Sequence, residues 1–240
     1  MFPYDGTLLA AVKTSPRSVG DVLAIMHTID ATCADGDGLK WFNWLYLSVT
    51  QAVEVRVNAG EFSDAAWMAA LDVQFAGFYF SALEAFLSRE SAPGCWQALF
   101  EQRTQTAIAR IQFAMAGINA HINHDLPQAV VATCWTSAIN PQHGTPQYLS
   151  YTALNTTLDS LIDTAKKELR LRLLGDVIPA ISPIDATLET WTVSAAREAA
   201  WNNAEILWHL SDAPAVSAAF MQTLDGLTEL ASRTLLVPVP

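Results

Sequence analysis

The sequence predicts an all-α protein, a single-domain bundle of about seven or eight helices. Three observations support this prediction. Apolar residues recur at spacings of three and four, which places them on one face of a helix. Glycine and proline fall mainly between these periodic segments, where they end helices rather than form hairpins. Of the 240 residues, 51% are hydrophobic and only 15% are charged, so the helices should pack against neighbours on more than one side.

The first half of the chain contains a series of helical segments. Ser18 can cap the first, a turn at residues 35–38 precedes the second, and Ser63 or Asp64 can cap the third. The apolar positions of the third segment lie nearly all round its axis, which predicts a central helix. The fourth can be interrupted near residues 103–106. The predicted helices cover about residues 18–31, 39–58, 64–90 and 95–125.

The second half continues with helices that are separated by loops and prolines. Pro127 suits the first turn of a helix, and Asp125 can cap that helix. A surface loop is expected at residues 136–145, and an irregular connection that contains two prolines is expected at 178–185. The predicted helices of this half cover about residues 127–135, 146–174, 186–210 and 215–232.

Composition and charge limit the partners of the protein. We expect one domain over residues 1–240, with an N-terminal arm at 1–17 and a C-terminal tail at 233–240, because no repeat or change of composition divides the chain. The formal net charge of −11 argues against nucleic acid, and no apolar run reaches the roughly 18 residues of a membrane span. The amino terminus lacks a secretory pattern, which predicts a cytoplasmic protein. The three cysteines fit packing positions better than disulfides or a zinc knuckle, with a nucleophile as the alternative.

A polar cluster interrupts the apolar helix that ends before the loop at 136–145. His121 and Asp125 are four residues apart and therefore lie on one helix face, while Asn119 and Asn123 share another face. A histidine and a carboxylate on one face can share a divalent metal. They can also act as a general base and the acid that orients it.

A structural interpretation of this cluster is also open. Asp125 can cap the helix that begins at Pro127 while His121 makes a buried hydrogen bond. His124 should point away from the face of His121 unless the helix loosens before Pro127. A metal site needs three or four ligands, and this spacing alone offers two.

Two charged residues lie in otherwise apolar helices. Asp72 interrupts the predicted central helix, and Arg197 lies near Trp201 in a later one. A buried charge needs a partner, so one expectation is an ion pair between Asp72 and Arg197. The alternative is that both residues contact a substrate, with Tyr79 and Trp201 as aromatic walls of the pocket.

A wider pattern links these candidates. It consists of Asp37-Gly38-Leu39 with Phe42-Asn43 and Tyr46, Leu71-Asp72-Val73 with Phe75-Ala76 and Tyr79, Gly117-Ile118-Asn119-Ala120-His121-Ile122-Asn123 with Asp125-Leu126-Pro127, and Arg197 with Ala200-Trp201. Together these segments resemble a bacterial and fungal family that is catalogued as a domain of unknown function, number 5995. The family has no assigned activity. The resemblance implies that the polar cluster belongs to a pattern shared by the family.

The sequence supports two hypotheses about function. In the first, the chain is a small-molecule enzyme, hydrolytic or cyclising, with His121, Asp125 and Asp72 as catalytic residues and a divalent metal that His121 and Asp125 can hold. In the second, it is a non-catalytic helical binding or scaffold protein in which the cluster is structural. No phosphate-binding loop, nucleophile elbow or His-Glu-x-x-His motif narrows the reaction, and the oligomeric state stays open. The substrate-binding residues expected under the first hypothesis are Arg197, Tyr79, Trp201 and Asn123.

Overall fold

The computed structural model describes residues 2–177 and 192–238. These residues are helical, with no strand beyond two isolated β-bridges, so the all-α prediction is confirmed. Their helices outnumber the seven or eight that we expected. They are α1 (Asp5–Val12), α2 (Val19–Thr32), α3 (Gly38–Asn58), α4 (Ala65–Leu87), α5 (Gly94–Gln102), α6 (Arg110–Ala120), a π turn (His121–Asp125), α7 (Leu126–Ser137), α8 (Pro146–Thr152), α9 (Asn155–Glu168), α10 (Val193–His209) and α11 (Pro214–Leu235).

Side-chain caps fix where several of these helices begin. The Ser18 hydroxyl accepts a hydrogen bond from the Asp21 amide at 3.1 Å, which confirms the first predicted cap. Of the two candidates for α4, Asp64 is the cap, because its Oδ1 accepts the amide of Trp67 at 2.9 Å. Each cap satisfies a backbone donor that the first turn of a helix would otherwise leave free.

Two segments differ from the helices expected from the sequence. The expected N-terminal arm contains α1, whose Leu8 and Val12 are buried in the core. The helix expected at 146–174 is divided into α8 and α9 by a turn at residues 153–154, and α9 ends at Glu168, before Leu169 leaves helical geometry. These differences raise the number of helices without changing the fold class.

The C-terminal tail packs against α6. The Gln112 side chain donates to the carbonyl oxygens of Leu235 and Val237, each at 2.7 Å, and Leu236 is buried. The irregular connection expected at 178–185 lies outside the described residues, as does the start of the helix expected at 186–210.

The core forms around α4 and α6. Every residue from Ile111 to Ala120 in α6 is buried, and α4, the predicted central helix, contacts α1, α2, α3, α5, α7, α8 and the π turn. Gly117 allows α6 to approach α3, because a Cβ there would lie 2.3 Å from the Phe42 ring. None of the helices in residues 2–177 and 192–238 combines the length and apolar character that a membrane span requires.

A buried ion pair joins the start of α3 to the end of α5. The Arg103 guanidinium donates to both carboxylate oxygens of Asp37 and also pairs with Asp5 at 3.2 Å. Asp37 caps α3 by accepting the Leu39 amide at 3.0 Å, and the Tyr4 hydroxyl donates to it at 3.0 Å. The sequence places Asp37 in a turn and in the family pattern but does not predict its pairing with Arg103, which lies 66 residues away along the chain.

We expect Asp37→Ala to destabilise the protein by about 3–5 kcal/mol, because it leaves the buried Arg103 charge without its main partner and removes the cap of α3. The matched control is Asp35→Ala, since Asp35 makes an exposed pair with Lys40 at 3.4 Å that is worth about 1 kcal/mol at most. Urea unfolding at neutral pH measures both changes. Equal effects of the two substitutions would contradict the prediction.

Candidate functional site

The carboxylate of Asp125 lies at the centre of the candidate site. Only 1% of Asp125 is exposed. Its Oδ2 accepts hydrogen bonds from Trp96 Nε1 and His121 Nδ1, each at 2.9 Å. Its Oδ1 accepts a bond from His124 Nδ1 at 2.8 Å. The site therefore joins α5 to the π turn through one carboxylate.

The π turn explains how two histidines reach the same carboxylate. Its backbone closes with the Leu126 amide donating to the His121 carbonyl, which is the longer i to i+5 bond of a π-helix. Pro127 lacks an N–H group and its ring crowds the carbonyl four residues earlier, so the helix must widen here. The helix loosens before Pro127, and His124 consequently turns toward Asp125.

The capping interpretation of Asp125 is wrong. The helix does not end at this point but continues from α6 through the π turn into α7. Asp125 makes no capping bond with its side chain, because both of its oxygens are used by Trp96 and the two histidines. The pairing of Asn119 and Asn123 is present, with Asn123 Nδ2 donating to Asn119 Oδ1 at 2.8 Å.

Protonation in this cluster follows from its burial and its hydrogen bonds. Burial alone would raise the pKa of Asp125, but the bonds from His121 and His124 outweigh burial and lower it. Burial lowers the pKa of His121, and the Asp125 carboxylate opposes this effect only in part. His121 is therefore neutral near pH 7, with its proton on Nδ1 facing Asp125 and a lone pair on Nε2.

The free nitrogen of His121 belongs to a group of buried polar atoms without hydrogen-bond partners among the described residues. Burying such atoms unpaired is costly. The His121 ring stacks on Phe75 at 3.4 Å between ring centres and lies 4.5 Å from the Tyr46 ring. The unpartnered atoms around it are His121 Nε2, Tyr46 Oη, Tyr79 Oη, Thr50 Oγ1 and Asp72 Oδ2.

A small cavity lies beside this group, between α3, α4, α7, α9 and α10. Its volume is about 30 Å³, which is enough for a water molecule. Phe75 and Tyr46 both line the cavity and contact His121, so they connect the imidazole to it. The full lining is Tyr46, Val49, Val53, Met68, Leu71, Asp72, Phe75, Leu126, Leu154, Leu158 and Arg197.

The expected ion pair between Asp72 and Arg197 does not form, although both residues line the cavity. Arg197 donates to Asn155 Oδ1 at 2.9 Å and to the Tyr151 carbonyl at 2.8 Å, and its guanidinium lies over the Tyr151 ring at 3.9 Å. Asp72 has no hydrogen bond or ion pair within the described residues. Burial, together with the negative charge of Glu54, raises the pKa of Asp72 to about 7.

The other predicted binding residues do not line the cavity. Tyr79 stacks on Trp96 at 5.3 Å between ring centres and contacts the His121 ring edge-on at 6.3 Å. Trp201 is fully buried against Tyr151 and donates to Glu205 at 3.0 Å. Asn123 faces Asn119, whose amide donates to α11.

The structure adds residues that sequence reasoning missed. Trp96 and Tyr46 are apolar-face positions of their helices, and no spacing connects either of them with His121. The loosening before Pro127 was the one available signal for His124. For a metal, the described residues bring together Cys95, His124 and Asp225 rather than His121 and Asp125, whose facing atoms bond to each other.

Comparison with known protein families assigns the chain to one family. The model of a family of unknown function, DUF5995, matches residues 19–238, a range that includes the whole cluster and the cavity. No curated protein and no solved structure matches the chain. The family description names no reaction, so the chemistry has to be argued from the site.

We expect Arg197→Met to destabilise the protein by about 1–3 kcal/mol, because the Asn155 and Tyr151 oxygens lose their donor. An ion pair with a buried carboxylate would raise this cost to about 3–5 kcal/mol. Arg17→Met is the control, since Arg17 is exposed. Urea unfolding distinguishes the two ranges, and the higher one would show that Arg197 has a charged partner.

The raised pKa of Asp72 predicts a pH dependence of stability. The folded protein binds this proton more tightly than the unfolded chain does, so stability falls as the pH rises from about 4 to about 7. The loss is roughly 4 kcal/mol at most, from a pKa of about 7 instead of 3.8. Asp72→Asn should remove the loss and be the more stable protein at pH 8, whereas the exposed control Asp212→Asn should not. Parallel pH profiles for wild type and Asp72→Asn would contradict this assignment.

Proposed function

Because the chain belongs to this family of unknown function, we propose its activity from the site itself: a small-molecule enzyme in which His121 is the general base and Asp72 the general acid. The observation that carries the proposal is the group of buried polar atoms without partners beside the cavity, among them His121 Nε2 and Asp72 Oδ2. A bound molecule would supply the missing hydrogen bonds.

The first step of the argument concerns the base. His121 Nδ1 donates a hydrogen bond to Asp125 Oδ2 at 2.9 Å. This bond fixes the tautomer that leaves Nε2 able to accept a proton. The stacked Phe75 ring and the Trp96 bond to Asp125 hold this pair in place. A neutral, oriented imidazole is the usual general base near neutral pH.

The second step concerns the acid. A group whose pKa lies near the working pH can both give and take a proton, and burial brings the pKa of Asp72 to about 7. His121 and Asp72 would thus act as a base and an acid, connected by Phe75 and Tyr46, which contact His121 and line the cavity together with Asp72. In a hydrolytic reaction His121 would take a proton from water, and in a cyclisation it would take one from the substrate.

The third step concerns the substrate. The cavity walls are mainly aliphatic, and Arg197 supplies a buried positive charge whose partners are neutral oxygens and a tyrosine ring. A small, mostly apolar molecule with one anionic group would match these features. Its entry requires the cavity to widen beyond about 30 Å³, and a rotation of Phe75 would open it toward His121.

We also propose a cytoplasmic location and a small-molecule rather than a nucleic-acid partner.

A second candidate is a helical scaffold in which the cluster is only structural. It is favoured by the 1% exposure of both His121 and Asp125 and by the small volume of the cavity. In a scaffold, the unpartnered atoms would only lower the stability of the fold, whereas in an enzyme they would bind the substrate. The two candidates therefore differ in whether a small-molecule probe binds next to His121 and shifts its Nε2 resonance.

We expect straight-chain carboxylates from butanoate to octanoate to bind the wild-type protein at pH 6. Affinity should rise with chain length, by about 0.8 kcal/mol per methylene, and should weaken above pH 7 as Asp72 ionises and repels the anion. Calorimetric titration measures the affinity. Nitrogen spectra of histidine-labelled protein should show a shift of His121 Nε2 and none of the exposed His27.

The enzyme proposal further predicts hydrolysis of p-nitrophenyl butanoate, reduced about 10²-fold or more in His121→Ala and partly restored by added imidazole. His27→Ala is the matched control and should keep the wild-type rate. Absence of probe binding and of hydrolysis in the wild type, with severe unfolding of His121→Ala, would favour the scaffold.

A further inference from the structure

Three potential metal ligands meet beside the Asp125 cluster. Cys95 is the second residue of α5, His124 belongs to the π turn, and Asp225 lies on α11. One ligand atom from each lies within 4.8 Å of the other two. Cys95 is fully buried and His124 nearly so, whereas Asp225 is partly exposed. Elements that are distant in sequence thus bring sulfur, nitrogen and oxygen donors to one point.

We propose that Cys95, His124 and Asp225 bind a divalent transition metal, with zinc as the ion that suits them best. Thiolate, imidazole and carboxylate are the ligands that zinc takes in proteins. Zinc bonds of about 2.0–2.3 Å place neighbouring ligand atoms roughly 3.5 Å apart in a tetrahedron. Atoms within 4.8 Å of one another therefore reach that spacing with small side-chain movements. This site goes beyond the proposed function and does not depend on it.

The neighbours of His124 prepare it as a ligand. Its Nδ1 donates to Asp125 at 2.8 Å, which leaves Nε2 as the nitrogen with a lone pair. Nε2 makes no hydrogen bond within the described residues. A carboxylate that holds the far nitrogen of a metal-binding histidine is a frequent arrangement, because it fixes the ring and makes it more basic. The same carboxylate that orients His121 would thus support the metal site.

The neighbours of Asp225 fix its position. Its two carboxylate oxygens accept the backbone amides of Gly94 and Cys95 at 2.8 Å and 2.9 Å, at the start of α5. A Cβ at residue 94 would lie 2.4 Å from a carboxylate oxygen of Glu229, so glycine is what allows α11 to come this close. Asp225 keeps further lone pairs that can coordinate a metal.

The charges of the three ligands would balance a divalent ion. On binding, the Cys95 thiol loses its proton to solvent and the sulfur forms the metal bond. Thiolate and carboxylate then carry two negative charges against two positive ones, and His124 stays neutral. Without metal, burial and the negative charges of Asp125 and Asp225 raise the pKa of Cys95, so the sulfur is a thiol and is inert as a nucleophile.

The test uses full-length, untagged protein that is first stripped with a chelator and then supplied with zinc or cobalt. We expect one equivalent of zinc by elemental analysis and, with cobalt, the charge-transfer absorption of a cobalt–thiolate bond. Cys95→Ser should abolish this absorption, and Asp225→Asn should weaken binding at least tenfold. Since Asp225 is partly exposed, the second variant keeps the test valid if Cys95→Ser does not fold. Asp125→Asn should weaken binding by about 10–100-fold through His124.

Two controls separate this site from its alternatives. Cys134→Ser removes another buried cysteine and should keep both the stoichiometry and the absorption. Asp72→Asn should also keep the metal while it removes the proposed general acid, so the two proposals can fail separately. The metal site is refuted if the stripped protein takes up no stoichiometric zinc, or if Asp225→Asn binds it unchanged. Cys95 would then be a packing residue and Asp225 only a cap of α5.

Discussion

A buried carboxylate loses its hydrogen bonds to water and needs protein donors instead. The centre of this bundle supplies such donors to Asp125. Burial would favour its protonated form, yet three N–H groups from Trp96, His121 and His124 keep it ionised. Those donors come from α5 and from two positions of the π turn. Losing any of them would leave a buried charge partly unpaired, which is among the costliest defects in a core. The crossing of α5 over the α6–α7 helix is therefore tied to this one group.

The same arrangement leaves other polar atoms without partners. Asp125 receives three donors, whereas His121 Nε2, Tyr46 Oη and Asp72 Oδ2 have none in the described part of the chain. A core selected for stability alone would fill such positions with apolar side chains. Among the buried unpartnered atoms of the described residues, Tyr46 Oη and Asp72 Oδ2 belong to residues that line the cavity, and His121 contacts two rings of its lining. A ligand in the cavity would give these atoms partners, and this is the reason for preferring an enzyme to a scaffold.

Local physics made part of this structure predictable from the sequence. Ser18 and Asp64 cap helices because a short polar side chain just before an apolar helical run can accept a hydrogen bond from a free backbone N–H of the first turn. His121 meets Asp125, and Asn119 meets Asn123, because a helix repeats its faces every three to four residues. Periodicity gives the angle of a side chain around its helix but not the element it meets. Trp96 with Asp125, and Asp37 with Arg103, depend on how helices cross. The expected pair of Asp72 and Arg197 failed for this reason: both face one cavity, but Arg197 finds nearer oxygens on Tyr151 and Asn155.

Asp125 accepts hydrogen bonds from two imidazoles, and the two histidines are suited to different chemical roles. Both histidines use Nδ1 to face Asp125, so each keeps Nε2 for a second partner, and their surroundings differ. Aromatic rings enclose His121 and burial lowers its pKa. For His124, the hydrogen bond to Asp125 and the charges of Asp125 and Asp225 outweigh burial and raise the pKa. Paired groups whose environments push their pKa values apart are a mark of sites that assign different roles to similar side chains. In this chain, the neutral imidazole suits proton transfer in the cavity. The one near Asp225 and Cys95 suits a metal ion, because a sulfur and a carboxylate oxygen lie close to its ring.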